Sequence, residues 1–270
     1  MSKTIFITGA SSGLGKATTT LFASKGWNVI ATMRNVGNVP DLLAIPNVTL
    51  MQLDVTNLAQ IQSVAARAIE LASVDVVFNN AGYGLKGPLE GITDDQLVQQ
   101  INTNLLGVIR VTKAFTPFFR SKGNGLFITT TSIGGLVTVP LNSAYHATKW
   151  ALEGWAESMA FELNQMGIDI KTVSPGFINT DFAGRSLDTA SHPAYDAMAQ
   201  KVAAAMKGAG QAATASTAEQ IAEVVFEAAT DGKKILRYIA GQDAKAIYAQ
   251  RLAAGDEAFR NGMRARFFEN

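Results

Sequence analysis

The stretch TIFITGASSGLG, residues 4–15, joins a short apolar run to a turn rich in glycine. Its Ile-Phe-Ile centre predicts a buried β-strand over residues 4–8. Residues 16–25 favour a helix, and Gly26 is suited to the position just past a helix end. A strand, a glycine turn and a helix in this order form the setting of a phosphate-binding turn.

Glycine in such a turn permits backbone angles that are closed to other residues and lets a pyrophosphate approach the main chain. The free N–H groups at the start of the following helix would then bind the phosphates. The glycine spacing differs from Gly-x-Gly-x-x-Gly, and a tight turn without a ligand is the alternative. We expect the phosphates of a dinucleotide cofactor to contact Gly9, Ser11, Ser12, Gly13, Leu14 and Gly15.

Residues 27–32 predict a second strand, and the residues after it would contact the adenosine ribose. An acidic side chain there favours NAD, whereas a basic one accommodates the 2′-phosphate of NADP. No carboxylate lies between Trp27 and Pro40, and Arg34 can pair with a phosphate. We therefore expect NADP(H) to be preferred over NAD(H), with Thr32 and Arg34 at the site. A solvated Arg34 is the alternative.

Apolar runs and helical patterns alternate along the rest of the chain. Strands are predicted at residues 48–53, 74–78, 126–131, 168–173 and 236–240, and helices at 57–72, 93–119, 143–166 and 217–229. This alternation favours a doubly wound α/β fold of the Rossmann type, a seven-stranded parallel sheet with helices on both faces. We expect one domain over residues 1–241, extended at 242–270 by two helical pieces that break at Gly255.

Small and polar residues follow two of the predicted strands. Asp54 and Val55 come after the third strand, where a carboxylate could hydrogen-bond the adenine edge. Asn80, Ala81 and Gly82 come after the fourth. The carboxyl edge of a parallel sheet lines the ligand crevice in such folds. We expect these residues beside the cofactor, with Asn80 supporting the sheet.

The stretch from Ser132 to Lys149 leads from the fifth strand into a long helical pattern. Tyr145 and Lys149 are four residues apart, so on a helix they share one face. A phenol has a pKa of about 10, which a nearby ammonium group and the positive ring of an oxidised nicotinamide would lower. Tyr145 could then exchange a proton with a carbonyl or an alcohol, and Ser132 could hydrogen-bond the same oxygen. An ordinary helix surface pair is the alternative.

Asn104 lies in the middle of the predicted helix 93–119. Asparagine is a mediocre helix former, and a buried amide needs a hydrogen-bond partner. We therefore assign Asn104 to the active site.

Composition excludes several kinds of protein. Apolar residues make up 47% and charged residues 17%, which suits a globular core. The net charge is +1 without a basic block, so we expect neither a nucleic-acid nor a membrane partner. With no cysteine and two distant histidines we expect no metal site. We expect a cytoplasmic protein, since no signal peptide or membrane span is evident.

Taken together, the motifs resemble those of the short-chain dehydrogenase/reductase family in its single-domain form, over about residues 3–241. Residues 8–15 are similar to the cofactor turn of the family, and residues 79–82 to its sheet-stabilising motif. Pro175, Gly176 and Thr180 are similar to its loop on the nicotinamide side. The residues that match the catalytic tetrad are Asn104, Ser132, Tyr145 and Lys149.

The resemblance implies an oxidoreductase that transfers a hydride between a nicotinamide and a ketone or secondary alcohol. Tyr145 would transfer the proton, while Lys149 would bind the nicotinamide ribose and lower the tyrosine pKa. Ser132 would polarise the substrate oxygen, and Asn104 would bind a water that relays protons. The residues expected around the nicotinamide are Tyr145, Lys149, Pro175, Gly176, Ile178 and Thr180.

Arg34 is similar to the NADP-preferring members, which favours carbonyl reduction. Within the family, the chain looks closest to the branch that contains 17β-hydroxysteroid dehydrogenase type 1 and bacterial reductases. Many tetrameric members end soon after the seventh strand, whereas this chain continues. The tail could block the tetramer interface or cover the substrate site. We expect a homodimer more than a homotetramer, formed through the small residues of helix 143–166 together with helix 93–119. Packing of these small residues within one subunit is the alternative.

Residues 179–216 lose regular periodicity, and we expect a substrate lid there. Apolar side chains from several segments would border the substrate pocket, which favours an apolar carbonyl compound. Packing in the core or the lid is the alternative. These side chains are Leu85, Leu136, Val137, Val139, Phe177, Phe182 and Tyr195.

Two other functions share some of these features. A regulator that senses NADP(H) without turnover would keep the cofactor turn, but the intact Ser132, Tyr145 and Lys149 argue against it. A sugar-nucleotide epimerase or dehydratase would use similar tyrosine and lysine chemistry. Such enzymes have longer chains, a different glycine spacing and a C-terminal sugar-nucleotide domain.

Overall fold

The computed structural model describes residues 2–179, 186–208 and 215–269. The strands are β1 (Thr4–Thr8), β2 (Asn28–Met33), β3 (Val48–Gln52), β4 (Val76–Asn79), β5 (Gly84–Lys86), β6 (Gly125–Thr130), β7 (Ile168–Pro175), β8 (Ile178–Asn179), β9 (Leu187–Thr189), β10 (Ser216–Thr217) and β11 (Arg237–Ala240). The α-helices are α1 (Gly13–Ser24), α2 (Pro40–Leu43), α3 (Leu58–Leu71), α4 (Asp94–Ile101), α5 (Gly107–Lys122), α6 (Ser143–Leu163), α7 (Asp196–Gly208), α8 (Ala218–Thr230), α9 (Gln242–Ala254) and α10 (Asp256–Phe268).

Seven strands form one parallel sheet in the order β11-β7-β6-β4-β1-β2-β3. The chain moves outward from β1 in one direction through β2 and β3, and in the other through β4, β6, β7 and β11. The order therefore reverses between β1 and β4, which is where open α/β sheets bind ligands. The predicted doubly wound fold and its seven-stranded sheet are confirmed.

The two faces of the sheet carry separate apolar clusters. Within β1, Ile5 and Ile7 pack on the side of α1 and α8, whereas Phe6 packs on the side of α3, α5 and α6. Successive strand residues point to opposite faces, so an all-apolar strand is buried on both. Each residue of β1 is at most 2% exposed, which explains why an unbroken apolar run marked this strand in the sequence.

The predicted helix 93–119 forms, but a π-helical turn that was not predicted interrupts its α-helical hydrogen bonding. Thr93 and Gln96 form a capping box at the start of α4. A π-helical turn, Asn102–Leu106, then separates α4 from α5. A π-turn adds a residue to the helical turn and is common at functional sites. Periodicity alone could not reveal it, because apolar positions continue on both sides.

The prediction of an irregular segment over 179–216 is wrong for much of its described part. Leu187–Thr189 form β9, which pairs with β5, and Asp196–Gly208 form α7. A three-residue strand gives no periodic signal. The helix AMAQKVAAAM is dominated by alanine, which favours helices without marking an apolar face. Residues 180–185 and 209–214 lie outside the described residues, and with them Thr180 and Phe182.

The C-terminal extension consists of α9 and α10, separated at Gly255 as predicted. Gly255 has a φ of +78°, a conformation that favours glycine. Helix α10 packs on both α9 and α7. None of the helices in the described ranges combines the length and hydrophobicity of a membrane span.

A buried ionic cluster joins the last two strands of the sheet to α8. Lys171 on β7 is 4% exposed and donates to the Ala228 carbonyl at 2.8 Å and to Asp231 Oδ1 at 3.0 Å. Tyr238 on β11 donates to Asp231 Oδ2 at 2.8 Å. Burial alone raises the pKa of Asp231, but the hydrogen bonds from the Lys233 N–H, Tyr238 and Lys171 outweigh it and lower this pKa to about 2.

Replacing Asp231 should therefore weaken the fold in a pH-dependent way. A carboxyl pKa lowered from 3.8 to about 2 stabilises the folded state by roughly 2 kcal/mol near pH 7. This stabilisation is present above the unfolded pKa and is lost as the pH falls through the folded pKa. Urea unfolding of Asp231→Asn should show a deficit of roughly 2 kcal/mol or more near pH 7, which shrinks between about pH 4 and 2.

Asp169→Asn is the matched control, because Asp169 pairs with Lys234, whose side chain is 75% exposed. Exposed pairs contribute about 0–1 kcal/mol. An equally small effect of both variants would contradict a structural role for the Asp231 cluster.

Candidate active site

The crevice at the point where the strand order reverses is formed by two glycines and an asparagine. Gly9, just after β1, has a φ of +70°, and a Cβ there would lie 2.8 Å from the Ala81 Cα. A Cβ on Gly15 would overlap the Gly9 carbonyl oxygen and lie 2.6 Å from Asn80 Nδ2. The turn after β1 and the first turn of α1 therefore approach each other as closely as glycine allows.

Helix α1 begins at this turn without a side-chain cap, since Ser12 at its N-cap position makes no capping hydrogen bond. The N–H groups of the first helical turn lack intrahelical partners and carry the positive end of the helix dipole. Ser11 is exposed, and Ser12 and Gly13 are half-buried. An open helix start beside a main-chain turn that excludes Cβ atoms fits the pyrophosphate of a dinucleotide.

The predicted adenosine-side residues lie after β2 and β3. Arg34 is exposed and makes no ion pair within the described ranges. Asp54 is half-buried, and one of its carboxylate oxygens accepts from the N–H and the hydroxyl of Thr56 at 2.9 and 2.7 Å. Thr32 is fully buried, and its hydroxyl donates to the Ile7 carbonyl at 3.0 Å, so this side chain serves the sheet. Val55 is buried beneath Gly107.

On the nicotinamide side, Pro175 ends β7 and Gly176 follows it. The Asp243 carboxylate from the start of α9 occupies the space where a Cβ on Gly176 would be. Its Oδ2 accepts from the Phe177 N–H at 2.8 Å. Ile178, in β8, is half-buried. The C-terminal extension therefore positions this loop, a role for Asp243 that no periodicity in the sequence signals.

Ser132, Tyr145 and Lys149 come together above the end of β6. Lys149 is 6% exposed, and its ammonium group donates to the Thr130 carbonyl at 2.9 Å. The same Nζ lies 5.8 Å from the centre of the Tyr145 ring. Burial lowers the pKa of Lys149 to about 8, although the Glu153 carboxylate opposes this shift. Burial raises the pKa of Tyr145, and a hydrogen bond between the Tyr145 and Ser132 hydroxyl groups opposes it.

Asn104 lies in the π-helical turn and is 1% exposed. Its Oδ1 accepts from the Tyr83 N–H at 3.0 Å, and its Nδ2 donates to the Tyr83 carbonyl at 2.8 Å. The side-chain amide therefore pairs with the main chain that follows Gly82. The structure places Asn104 between the residues after β4 and Thr148 on α6.

Glu153 was not predicted, although it lies one helical turn after Lys149. It is 3% exposed, accepts from Ser174 Oγ at 3.0 Å and pairs with Arg237 Nε at 2.8 Å. A glutamate four residues after a lysine on one helix is a pattern that the sequence does contain. Its burial next to Lys149, rather than the spacing, makes it relevant to the site.

The apolar side chains predicted around the substrate lie in different environments. Leu85, Leu136 and Val137 are buried, Phe177 is exposed, and Tyr195 packs edge-on against His192. Val139 borders a cleft of about 440 Å³. The other residues that line it are Thr138, Pro140, Leu141, Ser143, His146, Ala147 and Trp150, which do not include Ser132 or Tyr145.

Comparison with known proteins identifies the family. Residues 3–191 match the short chain dehydrogenase family. An uncharacterized oxidoreductase of Schizosaccharomyces pombe is 37% identical over 228 residues, covering 84% of this chain and 96% of the relative. Human 17-beta-hydroxysteroid dehydrogenase type 1 is 32% identical over 252 residues, covering 87% and 76%. The chain therefore belongs to the short-chain dehydrogenase family and is related to an oxidoreductase of the predicted branch.

Solved structures agree with this assignment. A short-chain dehydrogenase from Streptomyces avermitilis has a TM-score of 0.85 at 31% identity, covering 94% of this chain and 93% of that one. An alcohol dehydrogenase from Thermococcus sibiricus, complexed with 5-hydroxy-NADP, has a TM-score of 0.74 at 25% identity, covering 89% and 97%. The predicted family and its single-domain fold are confirmed.

The close packing of the glycine turn gives a direct test. Gly15→Ala should lower the free energy of unfolding by about 1–3 kcal/mol, because the added methyl group overlaps main-chain atoms. It should also weaken dinucleotide binding, measured by isothermal titration with NADPH. Gly262→Ala on α10 is the control, since nothing lies within 4 Å of a Cβ there. That variant should be neutral or more stable by up to about 1 kcal/mol. Equal stability and NADPH affinity in both variants would contradict the tight turn.

Proposed function

We propose that this chain is an NADP(H)-dependent oxidoreductase that interconverts a ketone and a secondary alcohol, with Tyr145 as the acid and base. The observation that carries the proposal is the grouping of Ser132, Tyr145 and Lys149 at the end of β6, across the sheet edge from the glycine turn. When bound, the nicotinamide supplies or accepts the hydride. The residues that would bind the cofactor are those of the turn after β1, the start of α1, Arg34, Asp54, Asn80 and the loop after β7.

Tyr145 donates its hydroxyl proton to the carbonyl oxygen during reduction and accepts one from the alcohol in the reverse direction. Its pKa is raised by burial, so the phenol is protonated at neutral pH and is ready to act as an acid. Ser132 hydrogen-bonds the same oxygen and orients it towards Tyr145. Lys149 places a positive charge near the phenol ring, which stabilises the phenolate once the proton has left.

The preference for NADP(H) rests on Arg34. It is exposed, and no described partner competes for its guanidinium group. A 2′-phosphate at the ribose would pair with it through charge-assisted hydrogen bonds. The cofactor analogue in the related alcohol dehydrogenase, 5-hydroxy-NADP, supports the proposal.

The substrate proposed is an apolar carbonyl compound, since no charged side chain lies in the segment 132–142 that borders the site. We also propose a homodimer through α6, whose exposed side includes Ala147, Gly154, Ser158 and Phe161. Phe161 is 73% exposed, and a second copy of the chain packed on α6 would bury its aromatic ring.

The proton-transfer role predicts a selective loss in Tyr145→Phe. We expect the reduction rate, measured as NADPH oxidation with cyclohexanone, acetophenone and 2-decanone, to fall at least about 100-fold. The rise in melting temperature with NADPH should persist, because a ligand of the folded state stabilises it by mass action. Tyr248→Phe on α9 is the control and should keep the wild-type rate. Ketone reduction that survives in Tyr145→Phe would refute the mechanism. If the wild type bound NADPH but reduced none of the ketones, a regulator that senses NADP(H) would be favoured.

The cofactor preference is tested by the melting temperature with NADPH and NADH at matched concentrations. We expect a larger rise with NADPH, and Arg34→Ala should remove most of that excess while leaving the rise with NADH unchanged. Arg67→Ala is the control, because Arg67 is an exposed arginine on α3, remote in sequence from the ribose-binding residues. If Arg34→Ala reduced both shifts equally, the assignment of Arg34 to the 2′-phosphate would be wrong.

A further inference from the structure

His146 follows Tyr145 on α6 and is 8% exposed. Adjacent residues on a helix point about 100° apart, and the His146 and Tyr145 rings lie edge to face with their centres 6.0 Å apart. The imidazole faces the segment between Ser132 and the start of α6. This segment, residues 133–142, contains no titratable side chain, and the titratable neighbours on α6 are Tyr145 and Lys149.

Both ring nitrogens of His146 bind the main chain of that segment. Nδ1 lies 2.6 Å from the Gly134 carbonyl oxygen, and Nε2 lies 3.1 Å from the Val139 nitrogen. A carbonyl oxygen can only accept, so Nδ1 carries the proton, and an N–H can only donate, so Nε2 offers its lone pair. The two contacts are satisfied together only by the neutral imidazole protonated at Nδ1. Burial also lowers the pKa of His146, although the Gly134 carbonyl opposes that shift.

Gly134 links this contact to the proposed catalytic serine. The Gly134 N–H donates to Ser132 Oγ at 2.9 Å, while its carbonyl accepts from His146. A Cβ on Gly134 would lie only 3.0 Å from His146 Nδ1, so the ring packs directly on this peptide. The imidazole therefore holds the main chain of Gly134, whose N–H in turn donates to the Ser132 hydroxyl.

The segment does not keep its shape through local preference alone. Leu141 has a φ of +61°, a left-handed conformation that costs on the order of 1 kcal/mol or more outside glycine. Its carbonyl accepts from the Gly87 N–H at 2.8 Å. Contacts from outside the segment therefore hold it at both ends, by Gly87 near Leu141 and by His146 at Gly134 and Val139.

We propose that His146 is a positioning residue that binds the main chain at Gly134 and Val139 and so holds the Ser132 hydroxyl in register with Tyr145. The reaction that it serves rests on the proposed function, whereas its hydrogen bonds do not. The two contacts tie the loop that carries Ser132 to the helix that carries Tyr145. Both hydroxyl groups then reach one substrate oxygen without further loop ordering.

The hydrogen bonds are tested first, by ¹⁵N NMR of imidazole-labelled protein at pH 7. The chain has two histidines, so His192→Gln leaves His146 as the single signal set. We expect a pyrrole-type shift at Nδ1 and a pyridine-type shift at Nε2. A ring protonated at Nε2, or a charged ring, would overturn the proposal whether or not the protein turns over a ketone. If the protein reduced none of the three ketones named above, the proposed function would be refuted. The ¹⁵N spectrum would still test the hydrogen bonds of His146.

The coupling to Ser132 is tested by a double-mutant cycle. His146→Phe keeps a ring but loses both hydrogen bonds, and should lower kcat roughly tenfold for the ketone reduced fastest by the wild type. In a Ser132→Ala background the same change should alter kcat less than about twofold, because the group being positioned is gone. If His146→Phe lowered kcat as much in the Ser132→Ala background as in the wild type, the positioning role of His146 would be refuted. An unchanged kcat in His146→Phe alone would also refute it.

The NADPH-induced rise in melting temperature distinguishes a selective loss of kcat from a loss of fold. This rise should persist in His146→Phe. If that variant does not fold, His146→Gln serves instead, because its amide can accept from Val139 or donate to Gly134 with less loss of polar contact. Partial recovery of kcat in His146→Gln is expected. A kcat that is no lower in His146→Gln than in the wild type would also count against the proposal.

Discussion

The side-chain amide of Asn80 connects three strands at the sheet edge where the site is built. Its Nδ2 donates to the main-chain carbonyls of Thr8 and Gly9 at 3.1 and 3.2 Å. Its Oδ1 accepts from Thr130 Oγ1 at 3.2 Å. These contacts close the gap between β1 and β4, which a parallel sheet leaves open where its strand order reverses. Because Asn80 also lies against Gly15, the glycine turn and the end of β6 are held in one geometry.

The same chain of contacts extends to the proposed catalytic residues. The Thr130 hydroxyl donates to Asn80, and the Thr130 carbonyl accepts a hydrogen bond from the Lys149 ammonium group. A buried ammonium group without such an acceptor would be expensive to keep charged. Glu153 adds a carboxylate one turn further along α6, and Arg237 neutralises the far side of that carboxylate. The position and the charge of Lys149 thus depend on residues from β4, β6, α6 and β11.

The sequence predicted the elements that have a continuous or periodic apolar pattern, and the turns that carry glycine. The strands of the central sheet were found because each is an apolar run, and their ends differ from the structure by only one or two residues. The π-helical turn at Asn104 was missed because it leaves the apolar pattern unchanged on both sides. Strands β5 and β9 were missed because three-residue strands depend on a partner far away in the chain. Asp243 and Glu153 became meaningful only once packing showed what their carboxylates touch.

The environment of Tyr145 bears on the direction of the proposed reaction. Burial raises the pKa of this phenol, while Ser132 opposes the shift through a hydrogen bond. A group that is protonated before the substrate arrives is prepared to donate, which suits reduction of a carbonyl. Oxidation of an alcohol requires the phenolate, and its stabilisation depends on the Lys149 charge and on the positive ring of the oxidised cofactor. The pKa of Lys149, lowered to about 8, keeps that charge largely present at neutral pH. The protein alone therefore favours the acid form of Tyr145, and the base form depends on the oxidised cofactor.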